Sequence, residues 1–303
     1  MKTKYISESF SLWTKIIDRT EHAIRSGALH SIPTESLFLE EDGIQFFVRI
    51  LKNLSRKAEA KKREIELTKS TGKTVNPFLP YEEDMFVADV SGTHLCLLNK
   101  YNVVEHHLLI VTREFEDQEL LMTLEDFEAM WLCMAQFDSL SFYNGGVVAG
   151  ASQPHKHLQL VPLPLAPKGP KVPIEPIFDS VIYHNIVGTT SRLPFVHAFI
   201  RLNLDWINSP TEVAKRTFDY YHEMLNFVGI KDTGNGRQSG PYNLIATKDL
   251  MFLVPRSAEF FHSISVNSLG FAGALLVKNE EELKLLKKHG AMNLLKSVAV
   301  ERL

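Results

Sequence analysis

The chain has 303 residues, of which 45% are hydrophobic and 23% are charged, the usual balance of a folded globular protein. The formal net charge of −3 at pH 7 argues against a basic surface that would recruit nucleic acid or an anionic membrane. The two cysteines, Cys96 and Cys133, lie in apolar runs without the spacing of a zinc site or a disulfide framework. The first ten residues lack the apolar segment of a signal peptide, and no run is long enough to span a membrane. We therefore expect a cytoplasmic protein whose partners are neither nucleic acid nor membrane.

The first half of the sequence predicts helices at its two ends and strands between them. A helix is expected after Ser7 or Ser9 up to Gly27, because capping residues precede apolar residues at helical spacing. The charged run 52–73 is interpreted as a solvated loop or short helix. A second helix over 123–139 has Thr123 as its cap. Short apolar or β-branched runs predict strands at 44–51, 85–90, 94–99 and 106–112.

The second half begins with a run whose prolines exclude a helix or a central strand, residues 162–176. Further elements are expected in the order strand 195–202, helix 210–227, glycine-rich loop 233–240, strands 242–247 and 250–256, and helix 279–297. No internal repeat is visible. Because the strands come in clusters, the sequence predicts an α+β fold rather than a doubly wound sheet. We predict a catalytic part over 1–165, a proline-rich crossover linker over 166–190 and a C-terminal part over 191–303 within one unit.

The most informative stretch lies between Gly150 and Pro162 and contains the segment His155-Lys-His157-Leu-Gln159. Side chains alternate between the two faces of a strand, so His155, His157 and Gln159 would share one face. Polar groups on a buried face are costly unless each has a partner. Three hypotheses explain the pattern: two structural histidines at a sheet edge, a metal site built on the His-x-His pair, or a nucleophilic histidine.

The surrounding residue types favour the nucleophile. A neutral imidazole can attack phosphorus when an acceptor holds its other ring nitrogen, and Gly150, Ser152 and Gln153 offer donors for the negative charge that develops. Glutamine is a weak metal ligand, and no carboxylate lies nearby in the sequence. The amide of Gln159 can hydrogen-bond a phosphoryl oxygen but cannot act as a general acid. It therefore favours a covalent intermediate that is passed to an acceptor other than water.

The segment His155-Lys-His157-Leu-Gln159-Leu-Val resembles the signature of the histidine-triad superfamily, in which the second histidine attacks an α-phosphorus. Glutamine as the third member resembles the transferase branch, whereas the hydrolase branch carries histidine there. The zinc cysteines often seen in the galactose-1-phosphate uridylyltransferases of that branch are missing. Several other segments resemble the ATP adenylyltransferase (diadenosine tetraphosphate phosphorylase) family: Asn76-Pro-Phe-Leu-Pro-Tyr, His94-Leu-Cys-Leu-Leu-Asn-Lys100, His107-Leu-Leu-Ile-Val-Thr-Arg113, Phe142-Tyr-Asn144-Gly-Gly, Gly150-Ala-Ser-Gln-Pro-His and Tyr242-Asn243-Leu-Ile.

This resemblance implies roles for the residues that match the family's motifs. His157 would be the adenylylated nucleophile, Gln159 would stabilise the adduct and His155 would orient the site. The residues implied to contact the nucleotide or its phosphates are Asn144, Gly150, Ala151, Ser152, Gln153, Asn243, Gly92, Thr93 and Lys100. Asn144 equally fits a turn and Lys100 an ordinary surface lysine. His106 and His107 are interpreted as structural, and Lys57 is one candidate for a lysine that the family places on the polyphosphate.

The implied fold is a histidine-triad-like antiparallel sheet meander with packed helices, expanded by N- and C-terminal segments. The implied reaction converts diadenosine tetraphosphate (Ap4A) and inorganic phosphate into ATP and ADP through adenylyl-His157, and it can run in reverse. A divalent cation, Mg²⁺, would accompany the polyphosphate because of its charge. Two alternatives stay open: a hydrolase of dinucleoside polyphosphates or nucleoside phosphoramidates, and a non-catalytic nucleotide sensor. The sequence does not predict the oligomeric state.

Overall fold

The strands and helices are taken from a computed structural model that describes residues 11–51, 76–202 and 209–302. The strands in chain order are β1 (Thr34–Glu41), β2 (Ile44–Leu51), β3 (Phe86–Asp89), β4 (His94–Leu98), β5 (Leu108–Thr112), β6 (Ser139–Gly145), β7 (His157–Pro162), β8 (Ile182–His184), β9 (Val187–Thr189), β10 (Ala198–Arg201), β11 (Tyr242–Ala246), β12 (Leu250–Pro255), β13 (Phe260–Phe261), β14 (Ile264–Ser265) and β15 (Ala274–Val277). The helices are α1 (Leu12–Ser26), α2 (Leu124–Met134), α3 (Pro210–Val228), α4 (Ser268–Phe271), α5 (Glu280–His289) and α6 (Ala291–Val298).

A ten-stranded sheet with the order β3-β4-β5-β7-β6-β11-β12-β10-β9-β8 organises the described residues. Every neighbouring pair in it is antiparallel. A smaller sheet has the order β1-β2-β15, in which β2 pairs antiparallel with β1 and parallel with β15. The α+β class predicted from the clustered strands is thus confirmed.

Both faces of the large sheet are covered, since nearly every residue of its central strands is buried. Helices α1, α2 and α3 cover one face, where Leu158 and Leu160 of β7 contribute to the core. The opposite face packs against the smaller sheet and helices α5 and α6, with Phe142 in that core. A smaller cluster around Phe78 covers the β4–β5 end of this second face. The side chains of His157 and Gln159 lie between the two clusters of the second face.

Most of the predicted elements form, and helix α2 shows why the cap was recognisable. The Thr123 side chain accepts a hydrogen bond from Asp126 N, and Asp126 Oδ2 accepts one from Thr123 N, which completes a capping box. The helix ends at Met134 rather than at residue 139. Phe137, which was expected within the helix, lies beyond it and packs against Trp13 with ring centroids 5.0 Å apart.

The terminal helices differ from the prediction in their bounds. Helix α1 begins at Leu12 with Ser11 as its N-cap, and Ser7 and Ser9 lie outside the described residues. The single helix predicted over 279–297 is two helices, α5 and α6, because Gly290 adopts a positive φ of 86° between them. The Glu41 carboxylate accepts a hydrogen bond of 2.6 Å from Ala291 N at the start of α6. An anion at a helix N-terminus stabilises the helix, so Glu41 of β1 stabilises the start of α6 after the bend at Gly290.

An order of elements occurs twice in the large sheet, although the sequence shows no repeat. The order β5-α2-β6-β7 in the first half matches β10-α3-β11-β12 in the second. The two halves meet where Asn144 of β6 pairs with Asn243 of β11. Helices α2 and α3 lie against each other on one face, joined by a 2.7 Å hydrogen bond from Trp131 Nε1 to Thr217 Oγ1. The junction of the halves therefore falls beside β7, where the histidine motif lies.

In the described ranges, no helix is both long and apolar enough to cross a membrane. The predicted linker 166–190 contains a 3-10 helix at Glu175–Ser180 and the edge strands β8 and β9. The boundaries of the predicted parts stay a prediction.

Candidate active site

The His157 imidazole is held in one tautomer at the start of β7. Its Nδ1 lies 2.8 Å from the carbonyl oxygen of His155, so Nδ1 carries the proton and donates it to that carbonyl. The other nitrogen, Nε2, is then unprotonated and has its lone pair available. Burial lowers the pKa of His157 to about 4, although the hydrogen bond to His155 acts in the opposite direction. His157 is therefore a neutral imidazole with an available Nε2 lone pair at physiological pH.

His155 has its own hydrogen bonds and supports His157 through the backbone. Its Nε2 lies 2.9 Å from the Thr112 carbonyl oxygen and 3.1 Å from that of Glu114, so Nε2 donates. Its Nδ1 accepts from Asn76 Nδ2 at 2.9 Å, and Asn76 Oδ1 accepts from Phe78 N. Because the side chain is fully buried and both ring nitrogens have protein partners, neither nitrogen of His155 is available for attack.

The Phe78 ring covers the two histidines. Its centroid lies 5.6 Å from the His155 ring and 5.4 Å from the His157 ring. Aromatic contact with the rings excludes water from them and contributes to the lowered pKa of His157, whose largest cause is desolvation. The segment that begins at Asn76 thus both orients and covers the motif.

Gln118 replaces the regular strand pairing beside the nucleophile. The register of β6 and β7 ends with Phe142 opposite Gln159, and Asn144 and His157 lie two residues beyond that pair on their respective strands. There the Gln118 side chain lies between the strands: Oε1 accepts from His157 N at 2.8 Å, and Nε2 donates to Asn144 O at 2.9 Å and His157 O at 3.1 Å. The inserted amide satisfies the backbone groups while leaving the strands further apart than a direct ladder would.

Gln159 also has a defined orientation. His107 Nδ1 lies 3.3 Å from Asn99 Nδ2, and His107 Nε2 lies 3.0 Å from Gln159 Oε1. Since the Asn99 amide donates to Nδ1, His107 donates from Nε2 to the oxygen of Gln159. Among the described residues, the Gln159 Nε2 group is consequently the donor end that is left for a ligand, on the same face as His157.

Asn144 presents a buried amide donor to which no group of the described residues is hydrogen-bonded. Its Oδ1 accepts from Asn243 Nδ2 at 2.9 Å, Ser268 N at 3.0 Å and Ser268 Oγ at 2.8 Å. Its Nδ2 is buried without a hydrogen-bond partner within the described part of the chain. An unsatisfied buried donor costs about 1–3 kcal/mol, and a bound ligand that accepts a hydrogen bond would remove that cost. Asn144 lies in β6, so the alternative of a turn residue is wrong.

The loop from Gly146 to Gln153 offers fewer free backbone donors than expected. Gly150 N donates to Val147 O and Ala151 N to Gly146 O, at 2.9 and 3.1 Å. Gly150 has a positive φ of 91°, and a Cβ there would meet Val266 O at 2.9 Å, so glycine is required by the local packing. Ser152 is exposed and Gln153 is half-buried. Of the four predicted phosphate-binding residues, these two have the more accessible side chains.

Within residues 11–51, 76–202 and 209–302, no group of three histidine, cysteine, aspartate or glutamate side chains could hold a metal ion. The His-x-His pair in particular is oriented by carbonyl and amide groups.

Comparison with known proteins places this geometry in a family. The model of the Ap4A phosphorylase N-terminal domain matches residues 2–180, and that of the ATP adenylyltransferase C-terminal domain matches residues 191–301. The chain belongs to the Ap4A phosphorylase family. Diadenosine 5′,5′′′-P1,P4-tetraphosphate phosphorylase 2 of Saccharomyces cerevisiae is 28% identical over 303 residues, covering 91% of this chain and 90% of that protein. Protein APA1 of the same yeast is 27% identical over 67% of this chain and 68% of its own length.

Solved structures agree with the assignment at the level of the fold. The crystal structure of yeast Ap4A phosphorylase Apa2 has a TM-score of 0.75 at 23% identity, covering 99% of this chain and 96% of that chain. The same enzyme in complex with Ap4A has a TM-score of 0.75 at 22% identity, covering 99% of both chains. The family and the nucleotidyltransferase class predicted from the sequence are confirmed.

Some residues that the family resemblance implied lie at the margin of this site. Gly92 and Thr93 are exposed in the β3–β4 turn, where Thr93 Oγ1 lies 2.9 Å from His94 Nδ1. Lys100 follows β4 and forms an ion pair with Glu82, so its ammonium group is engaged by a carboxylate. Its predicted phosphate role finds no support in this placement. Lys57 lies outside the described residues.

Asn243 lies behind Asn144 rather than beside the nucleophile. It is fully buried, its Nδ2 donates to Asn144 Oδ1 and Ala149 O, and its Oδ1 accepts from Arg256. The predicted nucleotide contact by the Asn243 side chain finds no support in this placement, because its polar atoms already have protein partners.

Three residues of this Ap4A phosphorylase-type site were missed or misinterpreted. Gln118 lies in an acidic loop whose sequence gives no sign of its position between two strands. Asn76 belonged to a resembling motif but carried no predicted role. His107 was interpreted as structural together with His106, yet only His106, which contacts Thr20 and Trp13, fits that description. The alternation of strand residues could have found His107, since it shares a face with Leu109, the partner of Gln159.

Proposed function

We propose that this protein phosphorolyses Ap4A to ATP and ADP, and catalyses the reverse reaction, through adenylyl-His157. The observation that carries the proposal is the Nδ1–H of His157 fixed on the His155 carbonyl, which leaves Nε2 as a nucleophile beside two amide donors. In the first step the Nε2 lone pair attacks an α-phosphorus of Ap4A, the P–O bond to the leaving group breaks, and ATP departs. In the second step an oxygen of inorganic phosphate attacks the same phosphorus, the N–P bond breaks, and ADP departs.

The two amide donors are suited to the negative charge that builds up on the phosphoryl oxygens. Gln159 is oriented by His107, and Asn144 by its three acceptor contacts, so neither needs to reorganise when the charge develops. Neither amide can protonate a leaving group. The adenylyl intermediate is thus stabilised without a general acid next to it, which gives phosphate time to replace ATP. The names of the yeast relatives, one of them solved with Ap4A, support this substrate.

We further propose that Mg²⁺ enters with the polyphosphate as part of the substrate. Phosphate oxygens are the ligands that Mg²⁺ prefers alongside water and carboxylates, and the chain's net charge of −3 does not neutralise the substrate. The partners in this proposal are small molecules, namely Ap4A, ATP, ADP and inorganic phosphate, and neither nucleic acid nor a membrane is among them. Two free, buried cysteines support a reducing, cytoplasmic location.

A product assay tests the proposal directly. Purified protein is incubated with Ap4A, with and without inorganic phosphate and with Mg²⁺ or a chelator, and ADP, ATP and AMP are resolved by chromatography. We expect ADP and ATP in equal amounts, only when phosphate is present, and at a much higher rate with Mg²⁺. AMP and ATP formed without phosphate would instead assign the protein as a hydrolase. Nucleotide binding without turnover would assign it as a sensor, and both outcomes would overturn the proposal.

The lowered pKa of His157 predicts an unusual pH dependence. The nucleophile is the neutral imidazole, and with a pKa of about 4 it outnumbers the protonated form about a hundredfold at pH 6. In single-turnover experiments we expect the rate of AMP transfer to His157 to be nearly constant between pH 8 and pH 6 and to fall only as the pH approaches 4. A decline centred near 6.5, with the fold intact by circular dichroism at each pH, would contradict this assignment.

A further inference from the structure

A buried arginine that forms no ion pair with a carboxylate of the described residues lies behind the site. Arg256 is 2% exposed, and its guanidinium donates only to oxygen atoms of neutral amides within the described residues. Nε donates to Val298 O at 3.0 Å, Nη2 to Ala258 O at 2.7 Å and Nη1 to Asn243 Oδ1 at 2.5 Å. Burial lowers the pKa of Arg256 to about 9, while Glu259 acts in the opposite direction, so the group stays charged at neutral pH. Its positive charge is therefore solvated by the protein but not neutralised by an ion pair.

The charge is connected to the nucleophile's neighbour by two amides in series. Because Asn243 Oδ1 accepts from Arg256, its Nδ2 must point the other way, and it donates to Asn144 Oδ1 at 2.9 Å. The Asn144 oxygen also accepts from both the backbone and the hydroxyl of Ser268. These contacts fix the orientation of both amides. The series ends at Asn144 Nδ2, the buried donor that has no hydrogen-bond partner among the residues that the structure describes.

Such a series makes its last donor stronger than an ordinary amide. Each hydrogen bond accepted at an amide oxygen draws electron density from the nitrogen, and the effect accumulates along a chain in a low-dielectric interior. Asn144 Oδ1 accepts three hydrogen bonds, one of them from an amide that is itself polarised by a guanidinium. Its Nδ2 is thus preorganised for an anion, and Gln118 bridges its backbone to that of His157.

We propose that Arg256 and Asn243 are positioning residues that transmit the buried positive charge through Asn144 to the phosphoryl group being transferred to His157. This inference rests on the proposed adenylyl transfer. Arg256 and Asn243 do not touch the substrate. The charge acts on the transferred group in both half-reactions, because the same phosphorus is attacked each time, and it acts from a position where water and phosphate cannot neutralise it.

The hydrogen-bonded series from Arg256 through Asn243 to Asn144 is called the relay below. The variant Asn243→Asp breaks the relay while keeping the fold. Aspartate has the same size, and its ion pair with Arg256 offsets the loss of the hydrogen bonds that the Asn243 amide donates to Asn144 Oδ1 and Ala149 O, so the variant should still fold. It neutralises the charge and can no longer donate to Asn144 Oδ1. We expect the single-turnover rate of AMP transfer to His157 to fall about 10²–10³-fold, as when an oriented donor is removed from an oxyanion site.

A double-mutant cycle with Asn144→Ala provides the matched control. Without the Asn144 side chain, the relay no longer reaches the phosphoryl group. Asn243→Asp should therefore lower the rate of the Asn144→Ala protein less than threefold. Equal losses in both backgrounds would show that Asn243 acts by another route and would overturn the relay. The equilibrium binding of AMP, measured by calorimetry, should follow the same non-additive pattern. Labelling of His157 in the wild-type protein tests the proposed function separately. A wild-type protein that binds AMP but never carries AMP on His157 would contradict the transfer reaction and not the AMP-binding result of the cycle.

A pair of substitutions at Arg256 tests the role of charge and covers the case in which Asn243→Asp fails to fold. Arg256→Lys keeps a positive charge, whereas Arg256→Gln keeps only a hydrogen-bond donor. We expect Arg256→Lys to transfer AMP at least tenfold faster than Arg256→Gln when both rates are divided by the folded fraction. Equal rates in the two variants would mean that the charge is irrelevant and would overturn the proposal.

Discussion

Replacing His157 by alanine should abolish AMP transfer, with a loss of Ap4A phosphorolysis on the order of 10⁴-fold or more. The imidazole provides the atom that bonds to phosphorus, and the neighbouring residues Gln159 and Asn144 cannot replace it because amides are not nucleophiles. The measurement is the mass of the protein after incubation with Ap4A in the absence of phosphate. We expect wild-type protein to gain one AMP and the His157→Ala protein to gain none.

The chain contains a matched control for this experiment in His197. Its Nδ1 lies 2.8 Å from the Phe195 carbonyl oxygen, and burial lowers its pKa to about 4, as for His157. Its Nε2, however, accepts a hydrogen bond from Thr190 N at 3.0 Å and is not available for attack. His197→Gln should keep normal AMP transfer per folded molecule. If His157→Ala retains more than about a hundredth of the wild-type rate, the covalent assignment is wrong.

Replacing Gln159 by histidine should increase the release of free AMP about tenfold or more relative to ADP. A histidine at this position can donate and accept a proton, which an amide cannot, so water becomes a competent acceptor for the adenylyl group. The motif of the hydrolase branch, with histidine as its third member, motivates the change. The measurement is the ratio of AMP to ADP formed from Ap4A at a fixed phosphate concentration.

Two further variants distinguish proton transfer from mere loosening of the site. Gln159→Asn keeps an amide but cannot reach as far, so it should slow both half-reactions without raising the AMP fraction. His107→Gln keeps a donor to Gln159 Oε1 and should leave the AMP fraction low. Should Gln159→Asn release as much AMP as Gln159→His, the account of the glutamine as a barrier to hydrolysis is wrong.

Elements with a strong local pattern could be predicted from the sequence. Strand β2 has the predicted bounds, 44–51, because six of its eight residues are apolar and both of its ends are marked by polar or glycine-containing segments. Strand β1, the acidic TESLFLEE, was not predicted, since its half-exposed position at a sheet edge leaves no clear apolar face. The split between α5 and α6 depends on a contact with Glu41, about 250 residues away in the chain, which no local pattern records.

The reactive part of the site could be predicted because it lies on one strand, where spacing determines the face. His157 and Gln159 were recognised by that spacing and by the motif. Gln118 and Arg256 reach the site from other elements, and their positions depend on tertiary packing that a single sequence does not display. Asn243 was placed in the right region, but whether it touched a nucleotide or another side chain depended on the orientation of Asn144.

The twofold order of elements limits how many nucleotides one chain can carry covalently. Asn144 of β6 pairs with Asn243 of β11 at the junction of the halves. On the side away from the junction, Asn243 pairs with Val254 of β12, whereas the corresponding neighbour of Asn144 in the first half is His157 of β7. Valine has no lone pair to offer, so the second half forms no phosphorus bond at that position and contributes the polarising groups instead. Labelling should therefore saturate at one AMP per chain. A chain that already carries AMP on His157 has no equivalent nucleophile in the second half to receive another.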